Sequence, residues 1–187
     1  DFNPDIDLVS SSLIDHYVGT PMAQKEEQKT VSPKSNLFNI TMDKYFADEG
    51  IQKGKNGLVA YYGIDVATHP NINFNTMTKE KAKEFYRKKW NTLVMDEIED
   101  PKLAFKIWEQ INMKGYPGIT NLQKSLNKYG AGIKEDGGFG KETRAAIKRI
   151  YPEHPELYDD YIANMDSYNR TMPNWERNKN GWTKRLK

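Results

Sequence analysis

Residues 36–64 read NLFNITMDKYFADEGIQKGKNGLVAYYGI. The first half repeats apolar residues at helical spacing, and Gly50 is suited to end the helix because glycine readily adopts the left-handed conformation of a C-terminal cap. The second half passes through a turn-rich loop at 52–57 into residues 58–64, whose β-branched and aromatic content is typical of a short strand or hairpin. This stretch predicts one helix followed directly by a small β element.

Farther along the chain the apolar spacing is helical. Thr78 is a suitable N-cap for a helix that runs to about Leu93. Asp100 followed by Pro101 predicts another helix, central and buried, that extends to about Gly115. Three shorter helices are predicted over 117–130, 141–150 and 156–168, followed by a basic tail. The fold class predicted from these patterns is mainly α, of the α+β type, with a helical bundle beside a small β-hairpin.

Residues 1–36 differ in character from the rest of the chain. They hold six acidic and three basic residues, a net charge of −3, which leaves +5 for the remainder of a chain whose formal net charge is +2. Pro21 and Pro33 disfavour helix at this end. We therefore expect an extended N-terminal tail or linker over 1–36 and a single globular domain over 37–187.

Composition excludes several classes of function. The 187 residues contain no cysteine, so disulfide scaffolds, thiolate nucleophiles and cysteine metal sites are excluded. His16, His69 and His154 are too far apart in sequence to fit a metal-ligand pattern. The net charge is too small to indicate nucleic-acid binding, and no apolar run is long enough to span a membrane. No metal and no cofactor are predicted.

Glu49 is the residue whose position best suits catalysis. A glycosidase needs a carboxylic acid that donates a proton to the leaving oxygen, usually with a second carboxylate that acts on water or on the sugar. At the junction of an apolar helix and a glycine loop, Glu49 could be both partly desolvated and open to a groove. The alternative interpretation is an ordinary solvated glutamate at a helix end.

Five short motifs occur in an order that points to a known family. They are DEG at 48–50, YGI at 62–64, LQ at 122–123, DGGFGKET at 136–143 and GWTKR at 181–185. This order and spacing resembles glycoside hydrolase family 108, the phage-type N-acetylmuramidases, whose patterns run E-G-G-Y, Y-G-I, L-Q, D-G-x-x-G-x-x-T and G-W-x-x-R. The resemblance covers about residues 36–185 and implies a lysozyme-like fold with the hairpin beside a carbohydrate cleft.

The resemblance also implies roles for individual residues. Glu49 corresponds to the catalytic acid of the family, and Tyr62, Gln123, Asp136 and Thr143 fall at matching positions that we assign to substrate binding. Tyr61 is added because two successive tyrosines on a strand would point one toward the cleft and one toward the core. Residues 116–187 would be the peptidoglycan-binding C-terminal part.

This sequence departs from the family pattern in the loop that would complete the catalytic site. Lys55 stands where the family usually has an acid, and Ala60 stands where it has a threonine. Asp65 is the nearest substitute carboxylate, either as a second catalytic group or as the cap of the following turn. The loop 136–140 likewise has two interpretations, close backbone approach to a ligand or a tight connection into the next helix.

Two functions follow as expectations from the resemblance. The first is a peptidoglycan hydrolase that cleaves the β-1,4 bond between N-acetylmuramic acid and N-acetylglucosamine, with Glu49 as general acid. The second is a degenerate lysozyme-like module that binds the cell wall or serves as a structural part of a phage particle. Either would belong to a virion or to the host cytoplasm or periplasm, with peptidoglycan as partner and the tail as a contact to other virion proteins.

Overall fold

The computed structural model describes residues 33–55 and 57–186. This part of the chain contains seven α-helices and a three-stranded antiparallel sheet whose strands lie in sequence order, so the predicted fold class, mainly α with a small β element, is confirmed. The elements are α1 (Pro33–Glu49), β1 (Ile51–Gly54), β2 (Gly57–Tyr61), β3 (Ile64–Asp65), α2 (Lys79–Thr92), α3 (Pro101–Lys114), α4 (Tyr116–Lys128), α5 (Lys141–Ile150), α6 (Leu157–Arg170) and α7 (Trp175–Arg185). Most of the predicted tail lies outside the described residues, and α1 begins within its last four positions.

The chain divides into two compact units. One ends at Asp96 and contains α1, the sheet and α2, and the other begins at Glu97 and contains α3 to α7. Residue 116, where the resemblance starts the C-terminal part, is the first residue of α4 and lies inside the second unit.

The first unit is built on aromatic residues of α1 and α2. Phe38 and Tyr45 of α1 are buried, and Phe38 meets the fully buried Trp90 of α2 edge to face with ring centroids 5.4 Å apart. Each such side chain contributes roughly 1.5–3 kcal/mol to folding when it leaves water. The predicted N-cap of α2 is confirmed, because Thr78 accepts a hydrogen bond from the Lys81 backbone N–H at 3.3 Å.

The sheet contains a strand that the sequence did not predict. Ile51–Gly54, most of which falls in the predicted loop, pairs with β2 in the register Ile51↔Tyr61, with an irregularity between Gln52 and Lys53. All four residues of β1 are exposed, so the strand has no buried side to give the sequence an apolar alternation. The predicted loop is therefore wrong over these residues.

The second unit is organised around α3. Nine consecutive residues of this helix, 103–111, are buried, as expected for the central helix, and Asp100 caps it by accepting a hydrogen bond from the Leu103 N–H at 2.7 Å. Gly118 of α4 packs so closely that a Cβ there would lie 2.7 Å from the Gln110 carbonyl oxygen. The prediction of a central buried α3 is confirmed.

The predicted basic tail is wrong. Residues Trp175–Arg185 form α7, of which no residue is fully buried, and only the following Leu186 is buried. A helix without a buried stripe carries no apolar periodicity, which is why its sequence reads as a solvated end. Among the described helices, none combines the length and the apolar character needed to cross a membrane.

Candidate functional site

Glu49 lies at the last position of α1, half-buried, immediately before the chain turns into β1. Gly50 ends the helix in the left-handed region, with φ of 59°, while its N–H donates to the Phe46 carbonyl oxygen at 2.9 Å. The predicted helix end at Gly50 is confirmed. The backbone of Glu49 thus lies at a corner between a helix and a sheet.

A tight turn from the sheet closes over this corner. Tyr62 and Gly63 join β2 to β3 with φ of 50° and 81°, and positive φ at both central residues is the mark of a type I′ turn. The Tyr62 N–H donates to the Gly50 carbonyl oxygen at 2.8 Å, which fastens the turn to the end of α1. The motif segments 48–50 and 62–64 are therefore in direct contact.

Gly63 has no room for a side chain. A Cβ at this position would lie 2.8 Å from the Tyr45 hydroxyl, 3.0 Å from the Tyr86 hydroxyl and 3.3 Å from Cγ of Glu49. Two hydroxyl groups and the stem of Glu49 therefore converge on one point beside the turn.

Tyr86 of α2 is buried, and its hydroxyl group lies beside the turn. Its hydroxyl donates to the Tyr62 carbonyl oxygen at 2.9 Å. Burial raises the pKa of Tyr86 far above its ordinary value, and the neighbouring Tyr45 and the charge of Glu49 raise it further. Tyr86 therefore remains a neutral donor that fixes the backbone of the turn.

The two predicted substrate-binding tyrosines are half-buried and adjacent. Tyr62 stacks on Phe46 with ring centroids 4.5 Å apart, and Tyr61 meets Tyr62 edge to face at 4.8 Å. Desolvation raises the pKa of Tyr61, with smaller contributions from Tyr62 and Glu80. The expected alternation is wrong, because β2 ends at Tyr61 and Tyr62 belongs to the turn.

Asp65 occupies the position of a turn cap. Its Oδ1 accepts a hydrogen bond from the Thr68 backbone N–H at 2.9 Å, and its carbonyl oxygen accepts one from the Thr68 hydroxyl at 3.2 Å. This is the second of the two interpretations that its sequence position allowed. Lys55 is exposed, and Ala60 is buried between its partners Gln52 and Asp65.

The other three predicted residues come together in the second unit. The buried Gln123 amide donates to Asp136 Oδ1 at 2.9 Å and to the Thr143 hydroxyl at 3.1 Å, and its Oε1 accepts from the Gly137 N–H at 2.8 Å. The Thr143 hydroxyl in turn donates to the Gly138 carbonyl oxygen at 2.9 Å. Side chains 13 to 20 residues apart in sequence thus hold the loop 136–140 in one conformation.

Asp136 is the exposed member of this network. The Gln123 amide, followed by the Gly138 N–H at 2.8 Å, lowers the pKa of its carboxyl below the ordinary value. Asp136 is therefore a fixed, exposed anion at the surface of the loop, whereas Gln123 and Thr143 are buried behind it.

Sequence reasoning missed Tyr45 and Tyr86 as site residues. Both tyrosines have the helical spacing of core residues, and their hydroxyls meet beside Gly63 only through tertiary packing, which the sequence pattern does not reveal. In the described part of the chain no three His, Asp or Glu side chains group as a metal site would require.

Comparison of the chain with protein-family models, with curated proteins and with solved structures gave no match.

Proposed function

We propose that this protein is a lysozyme-like N-acetylmuramidase of the family 108 type that acts on the bacterial cell wall as part of a phage, with Glu49 as the general acid. The observation that carries the proposal is the contact between the motif segments 48–50 and 62–64, joined by the hydrogen bond from Tyr62 to Gly50. A residue in this position can be held rigidly against a bound sugar, as general acid catalysis requires.

The contacts around Glu49 support this role. Its side chain is half-buried. The Tyr62–Gly63 turn packs against one side of it, and the Tyr86 hydroxyl holds the backbone of this turn in place. In hydrolysis Glu49 would donate its proton to the leaving glycosidic oxygen as the glycosidic C–O bond breaks. Water would form the new bond to the sugar carbon and lose its proton to solvent, and solvent would reprotonate Glu49. The half-buried Tyr61 and Tyr62 would offer aromatic faces to the sugar rings.

A second candidate function is cell-wall binding without turnover. The hydrogen bond from the Thr68 N–H to Asp65 favours it, because the nearest substitute for the missing second carboxylate is already engaged as a cap. Ala60 also provides no hydroxyl where the family pattern has a threonine. In this case the module would recognise peptidoglycan or serve as a structural component of the particle.

Hydrolysis of purified peptidoglycan separates the two functions. Glu49→Gln keeps the size of the side chain and removes the proton, so we expect release of reducing ends to fall by about 10²- to 10⁴-fold. Glu84→Gln, an exposed position on α2, is the matched control and should retain full activity. Equal activity of wild type and Glu49→Gln would eliminate the muramidase assignment.

Asp65→Asn then identifies the second group. Retention of most activity would show that water attacks without help from Asp65, whereas a loss comparable to that of Glu49→Gln would make Asp65 the catalytic partner. Binding to peptidoglycan with no hydrolysis by the wild-type chain would establish the second function.

A further inference from the structure

A cleft of about 340 Å³ lies between the start of α3 and the end of α5, inside the second unit. Its lining comes from two segments of the chain, one within 97–103 and the other within 147–152. The first segment leads into α3 and includes its first turn, and the second includes the last turn of α5. A volume of this size is at the lower end of the range that small-molecule sites occupy.

The base of the cleft is apolar and rigid. Ile98, Leu103 and Ile147 lie there and are buried, so their side chains belong to the core of the unit. Pro101 and Pro152 line the sides and are exposed, and they offer apolar rings to a ligand. Proline has a fixed φ, and a wall that is already ordered loses little entropy when a ligand binds.

The charged groups of the lining are predominantly acidic. Glu97, Glu99 and Asp100 stand on the α3 side, and Lys148 stands on the α5 side. Arg144 Nε pairs with Glu97 Oε2 at 2.6 Å, which neutralises this carboxylate. Two carboxylates, those of Glu99 and Asp100, therefore remain against one ammonium group.

The negative charge is fixed at one wall of the cleft by Asp100. Its carboxylate accepts the hydrogen bond from the Leu103 N–H as the cap of α3 and also bonds to the side chain of Tyr151. Burial raises the pKa of Tyr151, and the charges of Asp100 and Asp159 raise it further. The C-terminus of α5 adds partial negative charge, whereas the positive N-terminus of α3 is already capped. The cleft thus combines apolar walls with a negative potential.

We propose that this cleft binds a small organic cation that carries an ammonium group on an apolar stem. The ammonium group would donate charge-assisted hydrogen bonds to Asp100 and Glu99, and the stem would lie between Pro101 and Pro152. A neutral ligand would gain no charge pairing, and an anion would be repelled. The site lies in the unit that does not contain Glu49, so its occupancy is independent of the proposed hydrolysis.

Titration with hexylammonium chloride at low ionic strength, followed by NMR, tests the proposal. We expect saturable shifts of the methyl resonances of Ile98 and Ile147. The neutral probe 1-hexanol should bind about fivefold more weakly or worse, and hexanoate should not shift these resonances. Equal affinity for hexylammonium and 1-hexanol would overturn the proposal, as would shifts that rise without saturation.

Two changes of charge should move the affinity for hexylammonium in opposite directions. Asp100→Asn removes the carboxylate but keeps a cap on α3, because Asn and Asp cap helices about equally well, and it should weaken binding about fivefold. Lys148→Gln removes the opposing ammonium group and should strengthen binding about two- to threefold. Lys141→Gln, exposed at the other end of α5, is the matched control and should bind like the wild type.

The opposite signs distinguish recognition of charge from a general loss of structure. Equal weakening by Asp100→Asn and Lys148→Gln, or an unchanged affinity in both, would overturn the proposal. If Asp100→Asn does not fold, Lys148→Gln decides alone, since stronger binding supports the proposal and unchanged or weaker binding overturns it.

Discussion

At the scale of single residues, the corner around Glu49 is defined by a glycine and by a strained tyrosine. Tyr62 has φ of 50°, a region that costs a residue with a side chain about 1–2 kcal/mol. Its stacking on Phe46 and the hydrogen bonds of its N–H and carbonyl groups offset this strain. Strain of this kind persists where the surrounding structure over-determines a conformation, which is common at functional sites.

Gly63→Ala tests how tightly the corner is packed. Its new Cβ would meet the Tyr45 and Tyr86 hydroxyls at 2.8 and 3.0 Å and would also carry the penalty of a positive φ. We expect the free energy of unfolding to fall by about 2–4 kcal/mol in urea denaturation.

Gly50→Ala is the matched control for Gly63→Ala. Gly50 also has a positive φ, 59°, but a Cβ there would have no atom within 4 Å. It should therefore lose only about 1 kcal/mol. Equal losses in the two variants would mean that the two hydroxyls and Glu49 do not crowd Gly63.

At the scale of elements, the sequence predicted best where a local signal and a buried face coincide. Thr78 and Asp100 cap α2 and α3 as expected, and both helices bury an apolar stripe. β1 and α7 were not predicted because neither has a buried face, and pairing or docking rather than apolar spacing defines them. Tertiary structure, not local pattern, determines such elements.

The candidate site residues also fall into two groups, those that a local sequence signal locates and those that only tertiary contacts bring together. Glu49 was located by its helix end, which is a local signal. The convergence of Gln123 and Thr143 on the loop 136–140 joins residues far apart in the chain, and only the family resemblance grouped them beforehand. The roles of Asp65 as a cap and of Tyr86 as a turn anchor depend on partners that spacing does not reveal.

Gln123→Met tests whether this network holds the loop. The change removes a side chain that satisfies the Gly137 N–H and donates to Asp136 and Thr143 in a buried position. Leaving buried polar groups unsatisfied costs about 1–3 kcal/mol, and we expect a loss of this size in the free energy of unfolding. Lys124→Met, exposed on the same helix, should change it by less than about 0.5 kcal/mol. Similar losses from the two changes would contradict a structural role for Gln123.

At the scale of the whole molecule, the two groups of predicted site residues belong to different units. Glu49 lies in the first unit, whereas Gln123, Thr143 and the loop 136–140 lie in the second. Each unit has its own fully buried tryptophan, Trp90 in one and Trp108 in the other. Glu49 and the loop 136–140 are thus supported by separate cores, so a variant in one unit can be tested with the other core unchanged.

The core of the second unit contains a buried ion pair that also joins α7 to α3. Lys106 and Glu109 are 3% and 1% exposed, with Nζ 2.7 Å from Oε2, and Lys106 Nζ also donates to the Arg185 carbonyl oxygen. Lys106→Met removes the cation paired with Glu109, so we expect the free energy of unfolding to fall by about 3–5 kcal/mol. The double change Lys106→Met with Glu109→Leu should recover most of that loss, because apolar residues of similar volume usually replace a buried pair without large cost. A double variant less stable than Lys106→Met alone would show instead that Glu109 stabilises the core independently of Lys106, and urea denaturation of the two variants decides between these outcomes.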